Sequence, residues 1–314
     1  MRENDAMALR TFGVSDEARD SLRERIARLT AKDNRPATSI QELSLYRIDA
    51  PTEPMSYLHG PSVCLIAQGA KQVMLGEDIY KYDANHFLIT SVGMPVIAQV
   101  TEASIERPYL GLTLQLDLQV MAQLITDNAL PLPQLRSSGR GMAVSEVATP
   151  LIDAFVRLID LLDEPAGIPI LAPLVQREIY YRLLVGDQGL RLRQIVESGS
   201  QSHQIARAIE WLKENYTRPF RIEDLAEYTS MSASSFHHHF RALTAMSPLQ
   251  FQKCLRLQEA RRLMLTEHLD AATAALRVGY ESPSQFSREY RRLFGAPPLR
   301  DLRNLHQIAA GRVR

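Results

Sequence analysis

Two stretches of this sequence carry hydrogen-bonding and cationic side chains at helical spacing beside an apolar stripe. IEDLAEYTSMSASSFHHHFRALTAMSP runs from Ile222 to Pro248, and ATAALRVGYESPSQFSREYRRLFGAPP from Ala272 to Pro298. The first presents Ser234, Ser235, His237, His238 and Arg241; the second presents Ser284, Gln285, Ser287, Arg288, Arg291 and Arg292. Hydroxyls, amides and imidazoles make single hydrogen bonds, and arginine grips a guanine edge or a phosphate. This is the chemistry of reading a nucleic acid rather than of breaking a bond.

The elements that must hold these groups are the same in both stretches. A short helix with an Ala-rich inner face (Leu225, Ala226; Ala275, Leu276) meets a tight turn, and a serine then caps a second helix. The cap is Ser232 in one copy and Ser282 in the other, where Pro283 takes the first helical position. Phe236 and Phe286 point inward, with Phe240 and Tyr290 one turn on. A helix that is apolar on one side and short-chained or cationic on the other suits a major groove. Between the copies, Ser247 to Thr266 has a Ser cap, a following Pro, and Phe251, Leu255 and Leu263 at helical spacing. Such a helix is about 27 Å long at 1.5 Å per residue. Successive major-groove entries on one face of B-DNA lie about 34 Å apart. A rigid helix of this length can set two reading heads on one duplex.

Other chemistries fit these residues less well. A metal-dependent barrel enzyme needs a His-x-His pair with Glu and a further His; the corresponding segment has only His59 and His86. His237, His238 and His239 are consecutive on a helix, point about 100° apart, and cannot converge on one ion. Cys64 reads either as a small buried residue or as a pocket thiol facing an electrophile or oxidant, with Lys71 as the nearby group that lowers its pKa. Walker, Gly-x-Gly-x-x-Gly, Gly-x-Ser-x-Gly and Cys-x-x-Cys motifs are all missing. An enzyme or metabolite-binding protein with an accessory nucleic-acid-binding domain is the alternative; no catalytic residue, metal or cofactor is expected.

The 314 residues suggest two domains, and 45% hydrophobic content permits two cores. The net charge of zero hides an asymmetry: residues 203–314 hold 17 Lys+Arg against 11 Asp+Glu, and the rest of the chain is acidic. A basic helix-turn-helix end points to nucleic acid. Two distant cysteines form no disulfide framework, the first residues lack a signal-peptide core, and no apolar run is long enough to span a membrane. A reducing cytoplasm is the expected compartment.

Along the chain, a helix is predicted from Ser15 to Thr30. Short strands follow between Ile40 and Asp117: LSLYRI, SVCLIAQ, KQVML, DIYKY, HFLITSV, PVIAQVT and YLGLTLQLD. Helices return at 117–126, Val144 to Leu162 and Ile168 to Val185. The last two carry more apolar surface than one stripe needs, which predicts a two-fold dimer through their second faces, with Phe155 and Leu158 as the residues that test an interface on the first helix. Residues 187–202, rich in Gly and Ser, read as a flexible linker between a domain at 1–186 and one at 203–314.

The C-terminal pieces LAEYTSMSASSFHHHF, SPLQFQKCLRLQEARRLML and above all GYESPSQFSREYRRLFG resemble the DNA-binding domain of the AraC/XylS family of bacterial transcription regulators. PSVCLIAQGAK and LGEDIYKYDANHFLITSVGMPV resemble the N-terminal domain of one AraC-type subgroup. The resemblance implies an α+β multidomain protein: a cupin-like β-barrel with flanking helices that senses a small molecule, then an all-α double helix-turn-helix domain of seven helices. It implies an activator that binds double-stranded promoter DNA, with RNA polymerase and a second copy as partners. It places Ser234, His237 and His238, and Ser284, Ser287 and Arg288, toward bases. Cys64, His59 and His86 are the candidates for the effector pocket. Two departures stand out. His238 occupies a place where many members have Arg, and Ala245 one where the wider family often has Gly, which predicts a less sharply turned helix end.

Overall fold

The computed structural model describes residues 15–128, 130–131 and 139–311. Nine strands form two antiparallel sheets. The first contains β1 (Leu43–Ile48), β3 (Ser62–Gln68), β6 (His86–Thr90), β8 (Tyr109–Gln115) and β9 (Met142–Glu146), in the order β1-β8-β3-β6-β9. The second contains β2 (Met55–His59), β4 (Ala70–Leu75), β5 (Asp78–Asp83) and β7 (Met94–Glu102), in the order β2-β7-β4-β5. Seven of these strands follow the predicted pattern closely. β2 is a five-residue edge strand paired only with β7, and its exposed Met55 and Leu58 break the alternation that would have announced it. β9 corrects the predicted helix start at Val144. Met142–Glu146 pairs in register with His86–Thr90, and the helix begins only at Thr149, with Pro150 in its first turn.

Three cores organise the described residues. The first lies behind the β1-β8-β3 side and is closed by α1 (Asp16–Leu29), α3 (Thr149–Asp160) and α4 (Ile168–Val185). Ser15 caps α1 by accepting from the Ala18 N–H. Phe155 and Leu158 of α3 are fully buried in this core. They therefore cannot form the predicted dimer contact, because both apolar faces of α3 are used inside the domain. On α4 the surplus surface is real: Ile170 is 71% exposed and Leu174 61%, with Leu171 and Tyr181 beside them.

The expected linker is also corrected. Within 187–202 lies α5 (Gly189–Val196), whose Leu192 and Ile195 are buried. The Arg193 guanidinium donates to the carbonyls of Leu184, Leu130 and Pro131. A segment that seals cores and satisfies buried carbonyls is not a flexible spacer.

The C-terminal helices are α6 (Gln201–Glu214), α7 (Ile222–Tyr228), α8 (Ala233–Thr244), α9 (Pro248–Thr266), α10 (Ala271–Arg277), α11 (Pro283–Phe294) and α12 (Pro298–Gly311); α2 (Leu118–Asp127) precedes β9. The second core joins the inward side of the β2-β7-β4-β5 sheet to α6, α7, α8 and the start of α9. The third joins the end of α9 to α10 and α11. α9 starts on a full capping box, Ser247 with Gln250, and continues for 19 residues. Its Phe251 and Leu255 enter the second core, and its Leu257, Ala260 and Leu263 the third.

A largely buried ion pair ties α9 and α11 to α12. Arg261 of α9 grips Asp301 of α12 through two hydrogen bonds of 2.8 Å, and Tyr290 of α11 donates to the same carboxylate at 2.7 Å. Removing one member strands the others in low dielectric. Asp301→Ala is expected to cost about 3–5 kcal/mol, read as a drop in the urea midpoint, with the β-sheet domain still folded by circular dichroism.

Candidate nucleic-acid interface

The two second helices of the motifs, α8 and α11, are built as the residues require. Ser232 accepts from the Ser235 N–H at 3.3 Å, and Ser282 from the Gln285 N–H at 3.3 Å. Phe236, Phe240, Phe286 and Tyr290 are fully buried. Of the predicted contact set, Ser234, His237, His238 and Arg241 are exposed on α8, and Ser284, Gln285, Ser287, Arg288, Arg291 and Arg292 on α11. Ser235 is half-buried, its backbone committed to the cap. His239 turns inward, and burial followed by the nearby His238 lowers its pKa. Leu276, expected on an inner face, is 62% exposed.

Charge separates this surface from its surroundings. Among the described residues Arg241, Arg288, Arg291 and Arg292 have no ion-pair partner. Neighbouring cations are engaged: Lys253 with Glu289, Arg262 with Glu259, and Arg277 with Glu267. Arg256 donates to the carbonyls of Tyr216, Thr217 and Gly279 and ties the loop after α6 to the second motif. Gly279, in the most distinctive part of the second stretch, has φ +89°, and a Cβ there would lie 2.3 Å from the Thr217 carbonyl oxygen. No other residue fits that approach.

Ala245 corrects the expectation of a softer helix end. It takes the left-handed conformation, φ 59°, and its N–H bonds the Arg241 carbonyl. Gly295 makes the same turn after α11. The β4–β5 turn approaches the end of α8 closely: a Cβ placed on Gly76 would lie 2.9 Å from the Ala245 methyl. The β-sheet domain thus presses on the end of α8. Arg140 completes the clasp. It pairs with Asp78 at 2.6 Å and donates to the Arg241 and Ala242 carbonyls at 3.1 and 3.0 Å. The Gly141 N–H donates to Leu243 O at 2.9 Å. Free carbonyls at a helix C-terminus favour such a cation. Nothing in the sequence of Arg140 signalled this role, since its partners are more than sixty residues away.

The effector candidates separate. His59 and Cys64 are both buried, with Sγ 3.5 Å from Nε2, and Ser62 Oγ lies 3.1 Å from the same nitrogen. His86 stands apart at the start of β6, half-buried, its Nδ1 2.7 Å from Asp83. Burial pushes the Cys64 thiol up against the pull of Lys71. Burial therefore opposes the activated-thiolate reading of Cys64 and favours a packed thiol. His59 is driven down to about 3 by burial and by Lys71, so it is neutral at physiological pH. Among the described residues no three His, Cys, Asp or Glu side chains are placed to share a metal ion.

Comparison with known proteins places both halves. Residues 39–191 match the family described as AraC-type transcriptional regulator N-terminus, and residues 225–304 match a helix-turn-helix domain family. The chain belongs to the AraC family of transcriptional regulators. Relatives in the family include the HTH-type transcriptional regulator CdhR of Pseudomonas aeruginosa, 26% identical over 144 residues, 46% of this chain and 43% of that one. Another is the virulence regulon transcriptional activator VirF of Yersinia enterocolitica, 24% identical over 180 residues, 57% and 63% of the two chains. The chain spans about half the length of the curated relatives it matches. ToxT of Vibrio cholerae, solved with (E)-4-(8-methylnaphthalen-1-yl)but-3-enoic acid, shares the fold: TM-score 0.56 at 12% identity, over 83% of this chain and 97% of that one.

Against promoter duplexes, Arg288→Ala is expected to lose about 1–3 kcal/mol of discrimination at one base pair, while other positions keep their preference. Uniform weakening on every sequence would assign Arg288 to phosphate instead. Arg291→Ala or Arg292→Ala is expected to flatten the slope of log affinity against log salt by about 0.9; an unchanged slope would place that residue off the DNA.

Proposed function

We propose that this protein is a sequence-specific transcription activator of the AraC/XylS type. One observation carries the reading: two serine-capped helices expose hydrogen-bonding groups and unpaired arginines while their aromatic faces are buried. α9, of 19 residues, joins the motifs as one continuous helix, about 28 Å long. Two heads held this way suit one asymmetric site on double-stranded DNA. Activation follows the relatives named activators, VirF among them and RhaS of Pectobacterium carotovorum. RNA polymerase is the implied partner, and the cytoplasm the implied compartment; no helix among the described residues is long and apolar enough to cross a membrane.

The N-terminal domain, cupin-like in this reading, senses a small molecule. ToxT, which shares the fold, has been solved bound to an unsaturated fatty acid. Chromatin immunoprecipitation of the tagged protein, followed by run-off transcription on the recovered promoters, tests the reading. Enriched sites sharing one motif, with transcripts raised on adding the protein, are expected. Binding without sequence preference would overturn it, and turnover of a metabolite would favour the enzyme alternative.

Assembly is the remaining part of the proposal. The exposed Ile170, Leu174 and Tyr181 lie along one side of α4, the spacing of a packing face. A second copy seated there gives an isologous dimer. The full chain is expected to run as a dimer at micromolar concentration by light scattering. Leu174→Asp or Ile170→Asp is expected to give a monomer with an unchanged circular dichroism spectrum. A monomeric wild-type chain would rule the dimer out.

A further inference from the structure

The inward side of the second sheet holds a cation without a counter-charge. Lys71 stands opposite Tyr82 on β5 and Val100 on β7. It lies on the same face of β4 as Val73 and Leu75, which are sealed in the second core. Among the described residues it forms no ion pair, and its Nζ makes one long hydrogen bond, 3.4 Å, to Tyr57 Oη. Tyr82 is only 3% exposed, and its hydroxyl has no hydrogen-bond partner beside the Cys64 thiol. A half-buried charge and a buried, unsatisfied hydroxyl thus share one neighbourhood.

No anion faces the ammonium at physiological pH; its near neighbour is Tyr57, through the hydroxyl and through the ring, whose centroid is 5.9 Å from Nζ. Burial pushes Tyr57, Tyr82, Tyr109 and Cys64 above their ordinary values, so all four are neutral there. His59 is neutral as well. An ammonium withdrawn from water against neutral dipoles alone is costly, and cores rarely keep one unpaired. An incoming carboxylate would remove that cost, and an unsatisfied phenol would donate to it. Lys71 and Tyr57 are half-buried, so this end of the core is not sealed.

We propose that Lys71, with the hydroxyls of Tyr82 and Tyr57, binds the carboxylate of a small organic monoacid. One cation among neutral groups matches a single negative charge; a phosphate dianion would remain half-compensated. The site deepens the sensor reading and rests on it. It also touches the DNA-binding domain. β2, which carries Tyr57 and His59, is the edge strand against which α9 and α11 pack, and Gln258 of α9 donates to Ser56 at 3.3 Å. A ligand that closes on Tyr57 acts on the strand that supports the helix between the two reading heads.

The test uses the full chain with sodium benzoate and sodium octanoate, against benzyl alcohol, 1-octanol and inorganic phosphate as controls. Thermal denaturation and titration calorimetry are the readouts. At least one carboxylate is expected to raise the unfolding midpoint and bind once per chain, at least tenfold more tightly than its alcohol or phosphate. K71M is expected to abolish this, with an unliganded midpoint equal to or above the wild type, since an uncompensated charge has been removed. Y82F is expected to fold normally and weaken the carboxylate several-fold, and it carries the test if K71M does not fold. No carboxylate binding, equal binding of the alcohols, or full binding by both K71M and Y82F would overturn the inference. Promoter binding, followed in the same samples, separates this failure from that of the regulator reading: DNA still bound without carboxylate binding overturns only the ligand site.

Discussion

The first helix-turn-helix motif has no core of its own. Its Phe236, Phe240, Leu225 and Ala226 are buried together with Val73, Leu75, Val96 and Val100 of the second β-sheet, in one continuous apolar cluster. Apolar burial is non-directional and contributes roughly 25 cal/mol per Å², so a shared core of this kind fixes position more firmly than a few surface contacts would. α8 is held at its far end by the same domain, through Arg140, Gly141 and the contact of Gly76 with Ala245. The first reading head is therefore an extension of the β-sheet domain.

The second head is attached differently. Its apolar cluster, Val278, Tyr280, Phe286 and Tyr290 with the end of α9, is separate. Position is transmitted through α9, which is buried at one end in the second core and at the other in the third. Arg256 reinforces the joint by satisfying carbonyls on both sides of it. Any displacement of α9 against β2 and β7 moves the second head relative to the first, with no flexible segment to absorb it.

Electrostatics divides the cations of the C-terminal half into two populations. Arg256 and Arg261 have several hydrogen bonds to carbonyls or a carboxylate, and serve the fold. Arg241, Arg288, Arg291 and Arg292 stand exposed along α8 and α11. Exposed guanidiniums without partners lose little on meeting a phosphate, because no existing bond is broken and desolvation is modest.

How much of this was legible in the sequence follows from where the determining interactions lie. The caps at Ser15, Ser232, Ser247 and Ser282 were read correctly because each acts within three residues of its own position. Seven strands were read because short apolar and β-branched runs, buried on both faces in β3, β6 and β8, are bounded by turn residues. The polar faces of α8 and α11 were read because 3.6-residue periodicity puts Phe236 and Phe286 on the opposite side. Tertiary structure alone decided the rest. β2 and β9 exist because β7 and β6 offer them partners, a nonlocal fact that five residues cannot encode. α5 is ordered because two domains leave a groove that Leu192 and Ile195 fill, and composition alone made the segment look like a linker. Phe155 and Leu158 looked surplus on one helix and proved to be the centre of a core, since burial depends on what packs against a face. In sequence Lys71 is a strand lysine near Cys64; only the placement of Tyr57, Tyr82 and Tyr109 around it, from three other strands, makes it a half-buried charge without a counter-charge.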